Sequence, residues 1–514
     1  MSLTKRISRE QLSMFSLDCL IAADNPVRVI DLFVDQLQLQ DLGFIKVKAK
    51  LEGRPPYEAK DLLKLYYYGY LNRIRSSRRL EAECIRNVEV WWLMHQLTPA
   101  YHTIADFRKD NSKAFKQAFK MFIGFLKGED MFGSELIAVD GTKLRAQNNK
   151  KNTFNEQKLI KSLAYIENKA EEYIKELDNC DALEDKEAAE LKKKDVTKKI
   201  DELDERKKNY KQLEEKLKES GQKQISLVDE ESRSLPIKDG ITDVCYNVQA
   251  VGDSKHSLIV AFDTMNSTDQ GQLSVMADKA MEALGVKEIT ALADKGYHVG
   301  KDLNECKERQ ITTIVAYPER NNKNIDPAYQ TDKFIYNEQQ DNYTCPTGAV
   351  LTTTGNSYEK KKKGRASYFV KKYETQSCFT CPFKAFCTKG KNRIIERSEW
   401  QDIIDENNQR VDENSDTYKK RQQINEHPFG TIKRSWGYTY TLVKGMVKVD
   451  GEMAIIFTMY NLRRVMSILG INALIERLKK WKSGQTNKKQ GIFRDLCPYS
   501  PNRSIMGGIG SLVL

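Results

Sequence analysis

No run of 18 apolar residues occurs in the 514-residue chain, and the opening Met-Ser-Leu-Thr-Lys-Arg lacks the apolar core of a signal peptide. The first absence argues against a membrane-spanning helix, and residues 505–514, though apolar, are too short to span a bilayer. The second leaves a cytoplasmic protein as the expectation. The ten cysteines are too sparse for a disulfide frame, and four of them cluster late in the chain, which suits free thiols and a metal site. Acidic residues are scarce toward the C-terminus: residues 431–490 hold 12 Lys+Arg against 3 Asp+Glu, and residues 1–120 hold 20 against 14. Within a net charge of +12, that bias prepares both ends to face phosphates, although a basic surface can also serve solubility alone. At 59.2 kDa the chain is too long for one core.

Residues 57–128 show apolar spacing near 3.6, which predicts helices over 58–74, 79–94 and 103–126, with Thr98-Pro99 between the last two. Short helices with tight connections suit a helix-turn-helix-like reader of DNA. Arg75, Arg78 and Arg79 are expected to contact the DNA backbone. Tyr66, Tyr67, Tyr68, Trp91 and Trp92 sit among Leu and Ile at helical spacing and read as core rather than as stacking platforms.

From 155 to 222, 35 of 68 residues are charged, yet Ile160, Leu163, Ile166, Ile174, Val196, Ile200, Leu203, Leu213 and Leu217 keep a heptad-like seam, broken at 180–185. This predicts an antiparallel helical hairpin inserted into a larger domain. Its charge most simply makes a solvated face, with dimer contacts or DNA channelling as the sharper alternative.

Three stretches carry chemistry. Glu135-Leu-Ile-Ala-Val-Asp140-Gly and Ile289-Thr-Ala-Leu-Ala-Asp294-Lys-Gly read as buried strands ending in an aspartate; Arg421 to Lys433 reads as a basic helix bearing Glu426. Three gathered carboxylates would make an oxygen-rich site for Mg²⁺ or Mn²⁺. The intervening order of strand, hairpin, helix, strand, helix, strand, helix predicts an α/β, RNase-H-like mixed sheet whose strand ends bring Asp140 and Asp294 together. An Asp before Gly is also a common turn residue. Asp263 and Asp269 are read as turn and helix-cap residues.

Val139-Asp140-Gly-Thr-Lys143, Tyr246-Asn-Val-Gln249, Ala293-Asp294-Lys-Gly-Tyr297, Glu426-His-Pro-Phe-Gly-Thr-Ile-Lys433 and the later Tyr460-Asn-Leu-Arg463 together resemble the DDE transposases of bacterial insertion sequences, over roughly residues 53–470. The resemblance implies an RNase-H-like core and two-metal phosphodiester chemistry. Asp140 would bridge the metals, while Asp294 and Glu426 each hold one. Double-stranded DNA, as terminal inverted repeats and target, would be the partner, and an active homodimer would pair two ends. Lys143, Lys295, Arg421 and Lys433 are the accompanying DNA-binding candidates. The family's Tyr, Arg, Glu, Lys signature fits Tyr418, Arg421, Glu426 and Lys433 with one extra residue between Arg and Glu, a rotation of about 100° on a helix. Pro428 is expected to bend or end that helix.

Cys345, Cys378, Cys381 and Cys387 give an early thiol and a C-x2-C-x5-C group, a candidate structural zinc site. Lys360 to Lys363, Arg365, Lys371 and Lys372 read as a basic loop between them. The expected organisation is a helical DNA-binding domain at 1–130; a core formed by 133–154, 235–334 and 396–482; the hairpin at 155–234; a Cys-rich insertion at 335–395; and a tail at 483–514, read as disordered. Two other functions share these features: a catalytically silent DNA-binding protein derived from a transposase, and a Mg²⁺ nuclease without strand transfer.

Overall fold

In a computed structural model, the described residues are 16–45, 56–180, 186–238, 240–318, 325–361 and 367–481. The expected tail at 483–514 and the hairpin break at 181–185 lie outside them, as do Lys362, Lys363 and Arg365. Two compact units form: Met1–Glu129 with Gly451–Leu514, and Asp130–Asp450.

The first unit opens with α1 (Pro26–Gln36), α2 (Ala59–Leu71), α3 (Ser77–Arg86), α4 (Val88–Leu93), α5 (Tyr101–Asp110) and α6 (Ser112–Gly128). Asn25 starts α1 by accepting from Val27 N at 2.9 Å, with Pro26 in the first turn, where its missing N–H costs nothing. Two helices expected to be continuous are each broken at an asparagine. Asn87 ends α3 and caps α4, accepting from Glu89 N at 2.9 Å. Asn111 separates α5 from α6, and its carboxamide accepts from Ile45 N at 2.7 Å. The side-chain amide competes with the helical ladder, which periodicity does not register. Tyr66, Tyr67 and Tyr68 are buried.

The second unit holds β1 (Leu136–Arg145), β2 (Thr153–Phe154), α7 (Glu156–Cys180), α8 (Lys186–Ser220), β3 (Ile225–Ser226), β4 (Arg233–Lys238), β5 (Ile241–Asp253), β6 (Ile259–Met265), α9 (Leu273–Leu284), β7 (Ile289–Ala293), α10 (Gly300–Glu308) and β8 (Ile311–Val315). Helices α7 and α8 run antiparallel: Leu159 packs with Leu213 and Leu217 over Phe154, while Lys207 pairs with Glu167 at 3.0 Å. The main sheet runs β4-β5-β1-β7-β8, with β6 also paired to β5. Strands β1, β7 and β8 are parallel, whereas β4 and β6 are antiparallel to β5 and β5 to β1. This is a mixed sheet with helices linking its parallel strands.

A second sheet follows, ordered β13-β12-β11-β10-β9, from β9 (Ile335–Asn337), β10 (Asn342–Thr344), β11 (Val350–Lys360), β12 (Tyr368–Glu374) and β13 (Ile395–Ser398). Its core is Phe334, Tyr343, Leu351, Tyr373 and Ile395. The expected basic loop is therefore partly strand, since Lys360 closes β11 and Lys371 and Lys372 lie within β12. The short α11 (Lys384–Cys387) precedes β13, and α12 (Gln401–Glu413) and α13 (Ser415–Phe429) return to the main sheet. There Ile424 and Tyr418 of α13 pack on Ala138, Leu292 and Ile314.

The last helices are α14 (Met446–Leu469) and α15 (Ile471–Lys480). Residues from Gly451 onward belong to the first unit, not to the core in which 396–482 was expected. Buried Glu452 accepts from Tyr70 Oη at 3.0 Å and pairs with Arg75 at 3.4 Å, and Trp481 stacks on Phe33. Among the described residues no single helix is long and apolar enough to cross a membrane.

Candidate active site

Asp140 lies within β1, not at its end. Antiparallel pairing with β5 runs through Asp140 to Arg145, whereas parallel pairing with β7 stops at Ala138 opposite Leu292. Asp140 thus projects just beyond the carboxyl end of the parallel ladder, where ligands of such sheets bind. Asp294 follows β7 directly and caps the 3-10 turn Lys295–Tyr297, accepting from Gly296 N at 2.8 Å. Across the 153 residues between them, the two carboxylates come near enough for the charge of Asp294 to act on Asp140. Burial first, and then the charge of Asp294, hold the Asp140 carboxyl up at about 6; the Gly141 N–H and the Arg421 guanidinium pull the other way.

Helix α13 lies over this edge. Ile424 approaches Gly252 so closely that a Cβ there would stand 2.8 Å from its Cγ2. Arg421 sits over the Tyr418 ring at 5.7 Å, with its Nε buried and unpaired. Glu426 is exposed on α13, while its neighbours Ile424 and Asn425 are buried. Pro428 does not end the helix: α13 runs through it to Phe429 and continues as a π-helical turn, Gly430–Ser435. The ladder widens, with Trp436 N donating to Thr431 O at 2.9 Å, five residues back. From this turn Lys433 donates to Thr142 Oγ1 at 3.0 Å. Burial, followed by the nearby Lys143 charge, lowers its pKa.

The other expected DNA contacts divide. Lys295, Arg78 and Arg79 are exposed. Arg75 is a correction: it is buried against Glu452, and its charge is directed inward rather than toward phosphates. Lys143 alternates onto the face of β1 opposite Asp140, where it pairs with Asp269 at 2.7 Å. Asp269 caps no helix; Asp302 accepts from Leu273 N and Ser274 N at the start of α9 instead. Asp263 is a strand residue of β6 paired with Lys279, not a turn. The sequence reading missed Asp269, Thr142 and the joint role of Asn247, Gln249 and Tyr297, although the last three stood inside quoted motifs.

Cys345, Cys378, Cys381 and Cys387 line one pocket with Tyr329 and Arg393. Cys345 Sγ accepts from Ala349 N at 3.3 Å across a turn in which Gly348 has φ +86°. Burial pushes the Cys387 thiol up, Arg393 opposes it, and the other three sulfurs add to the rise. Among the described residues no group of three or more His, Cys, Asp or Glu stands ready to hold a metal ion, at either place.

Residues 344–466 match the family described as Transposase DDE domain, and residues 15–110 match one described as Transposase domain (DUF772). The first segment contains Glu426; Asp140 and Asp294 lie outside both. No curated protein matches the chain. Among solved structures it is similar to a cryo-EM structure of a piggyBac transposase synaptic complex with hairpin DNA, at 7% identity over 94% of this chain and 84% of that one. The TM-score is 0.29, too low to bear on the fold. The two matches identify transposase domains in this chain and support a DDE transposase of the insertion-sequence type, acting in DNA transposition.

Proposed function

We propose that the protein cuts DNA at the ends of its own element and joins the freed strands to a target, with Asp140, Asp294 and Glu426 as the working carboxylates. The meeting of Asp140 and Asp294 at the ends of adjacent parallel strands carries this reading. A sheet ordered β6-β5-β1-β7-β8, with only its last three strands parallel, supports an RNase-H-like core.

Two carboxylates, with Glu426 from α13 as the third, are hard oxygen donors that fit Mg²⁺ or Mn²⁺ better than zinc. Such cations, when bound as a pair, activate the attacking oxygen and stabilise the leaving one. The side chains do the positioning. Lys433 and Arg421 set positive charge beside Asp140, where a phosphate would otherwise be repelled. Exposed Arg78 and Arg79 hold the DNA backbone. Cys345, Cys378, Cys381 and Cys387, which line one pocket, are the donors of a structural zinc site in this reading, because four thiolates would leave no open position for substrate. Pairing two element ends calls for at least a homodimer, acting in the cytoplasm on the nucleoid.

The test is Mg²⁺-dependent cleavage and joining of inverted-repeat DNA. Asp140→Asn, Asp294→Asn and Glu426→Gln each abolish both steps while DNA binding persists. Intact cleavage by Asp294→Asn would overturn the assignment.

A further inference from the structure

Behind Asp140, on the opposite face of β1, lies a largely buried polar network. Asp269 Oδ1 accepts from Asn247 Nδ2 at 2.8 Å and from Gln249 Nε2 at 2.7 Å, and its Oδ2 accepts from Lys143 Nζ at 2.7 Å. Gln249 Oε1 in turn accepts from the Tyr297 hydroxyl. Asn247, Gln249 and Tyr297 are almost wholly buried, so these bonds have little competition from water and stiffen what they join. They join two things. In register, Gly141 faces Gln249 and Lys143 faces Asn247, so the network grips β1 immediately after Asp140. Tyr297 ends the turn that Asp294 begins, and a Cβ on Gly296 would touch Asp269 Cβ at 3.9 Å. Gly141 makes room: a Cβ there would overlap Gln249 Nε2 and Asp269 Oδ1 and stand 3.0 Å from Asn247 Oδ1.

We infer that Asp269 is a positioning residue of the DNA-cutting site, fixing the Asp294 turn against β1 through Gln249 and Tyr297. Its two oxygens already accept from three donors, which commits it to holding the network rather than a cation. Nor does it serve α9, which Asp302 caps. This inference rests on Asp140 and Asp294 being the working carboxylates.

The full chain is assayed in two ways: Mn²⁺ binding to the DNA-free protein by calorimetry, and Mg²⁺-dependent cleavage of inverted-repeat DNA. Asp269→Asn weakens Mn²⁺ binding and raises the half-saturating Mg²⁺ concentration, each by roughly 10- to 100-fold, and excess metal partly restores cleavage. Tyr297→Phe, which removes one hydroxyl, shifts both readouts the same way by less, and adds little in the Asp269→Asn background. DNA affinity stays at the parental value in both. If Asp269→Asn fails to fold, Tyr297→Phe carries the test alone. Unchanged metal binding in either soluble variant overturns the inference, as do fully additive effects, which would mean that Asp269 acts on the metal directly. If Asp140→Asn and Asp294→Asn still cleave, the functional reading itself has failed; if they are dead while Asp269→Asn and Tyr297→Phe behave as the parent, only this inference has.

Discussion

Lys433 donates from Nζ to Thr142 Oγ1 at 3.0 Å, on the face of β1 that also carries Asp140. A cation from the far end of the α13 region is thereby anchored two residues from the first carboxylate. Lys433→Gln should weaken binding to all DNA sequences alike and reduce the slope of log affinity against log salt by about 0.9. Because burial and Lys143 lower its pKa, Lys433 loses its charge at lower pH than a surface lysine. The gap between parent and variant should therefore narrow on the alkaline side, as anisotropy titrations at pH 7 and pH 9.5 would show.

Asp140 gives a pH prediction with a definite sign. Burial and Asp294 hold its carboxyl at about 6, against 3.8 ordinarily. Between those values the folded protein keeps a proton that the unfolded chain has released, so stability falls as pH rises through that window and stays lower above it. Asp140→Asn, which cannot ionise, should melt above the parent at pH 7.5 without metal, by at most about 3 kcal/mol. The difference should vanish below about pH 4. Added Mg²⁺ should reverse the order, because it stabilises only the protein that binds it. Thermal melts at both pH values, with and without Mg²⁺, check all three.

Gly252→Ala tests the seating of α13. The new Cβ would stand 2.8 Å from Ile424 Cγ2 and 3.4 Å from Ile424 O, so the helix must shift away from β5. Overpacking of this kind costs about 1–3 kcal/mol. The variant should fold and bind DNA yet cleave poorly, and the companion Ile424→Leu, which lacks the clashing Cγ2 methyl, should recover part of the rate.

The arginines of the helical unit should separate by role. Arg75→Met or Glu452→Gln breaks a buried ion pair and should cost about 3–5 kcal/mol in denaturant titrations. Exposed Arg78→Ala and Arg79→Ala should leave stability within about 0.5 kcal/mol and weaken DNA binding instead.

Purified protein should contain one zinc per chain by mass spectrometry of the metal, and Cys378→Ser or Cys381→Ser should lose it. The five-stranded sheet beside the pocket should then become protease-sensitive. A metal-free parent of equal stability would remove the zinc assignment.

The strands of the main sheet were readable because buried parallel strands are unbroken apolar runs, as Ile289-Thr-Ala-Leu-Ala is. The second sheet was not: after Val350-Leu351, β11 is polar but for Tyr358 and mostly exposed, so neither apolar alternation nor an apolar run marks it. At the site, Asp140 and Asp294 were visible as aspartates closing apolar runs. Asp269 was hidden because its partners lie 126, 22 and 20 residues away, and an Asp among Asn, Ser, Thr and Gly, as in Asn266-Ser-Thr-Asp-Gln-Gly271, looks like any turn residue. Arg75 misled for a related reason. Its partner is 377 residues distant, and no local pattern distinguishes an arginine that seeks phosphate from one that seeks a buried glutamate.

That distance has a consequence for synthesis. Tyr70 and Arg75 are made early, but Glu452 and Trp481 emerge only after all of Asp130–Asp450. On the ribosome the middle unit can fold as a whole while the helical unit still waits for the carboxylate of Glu452 and the ring of Trp481. DNA-reading competence should therefore appear last, and a nascent chain stalled just after Asp450 should have a finished cutting unit that cannot yet grip its substrate.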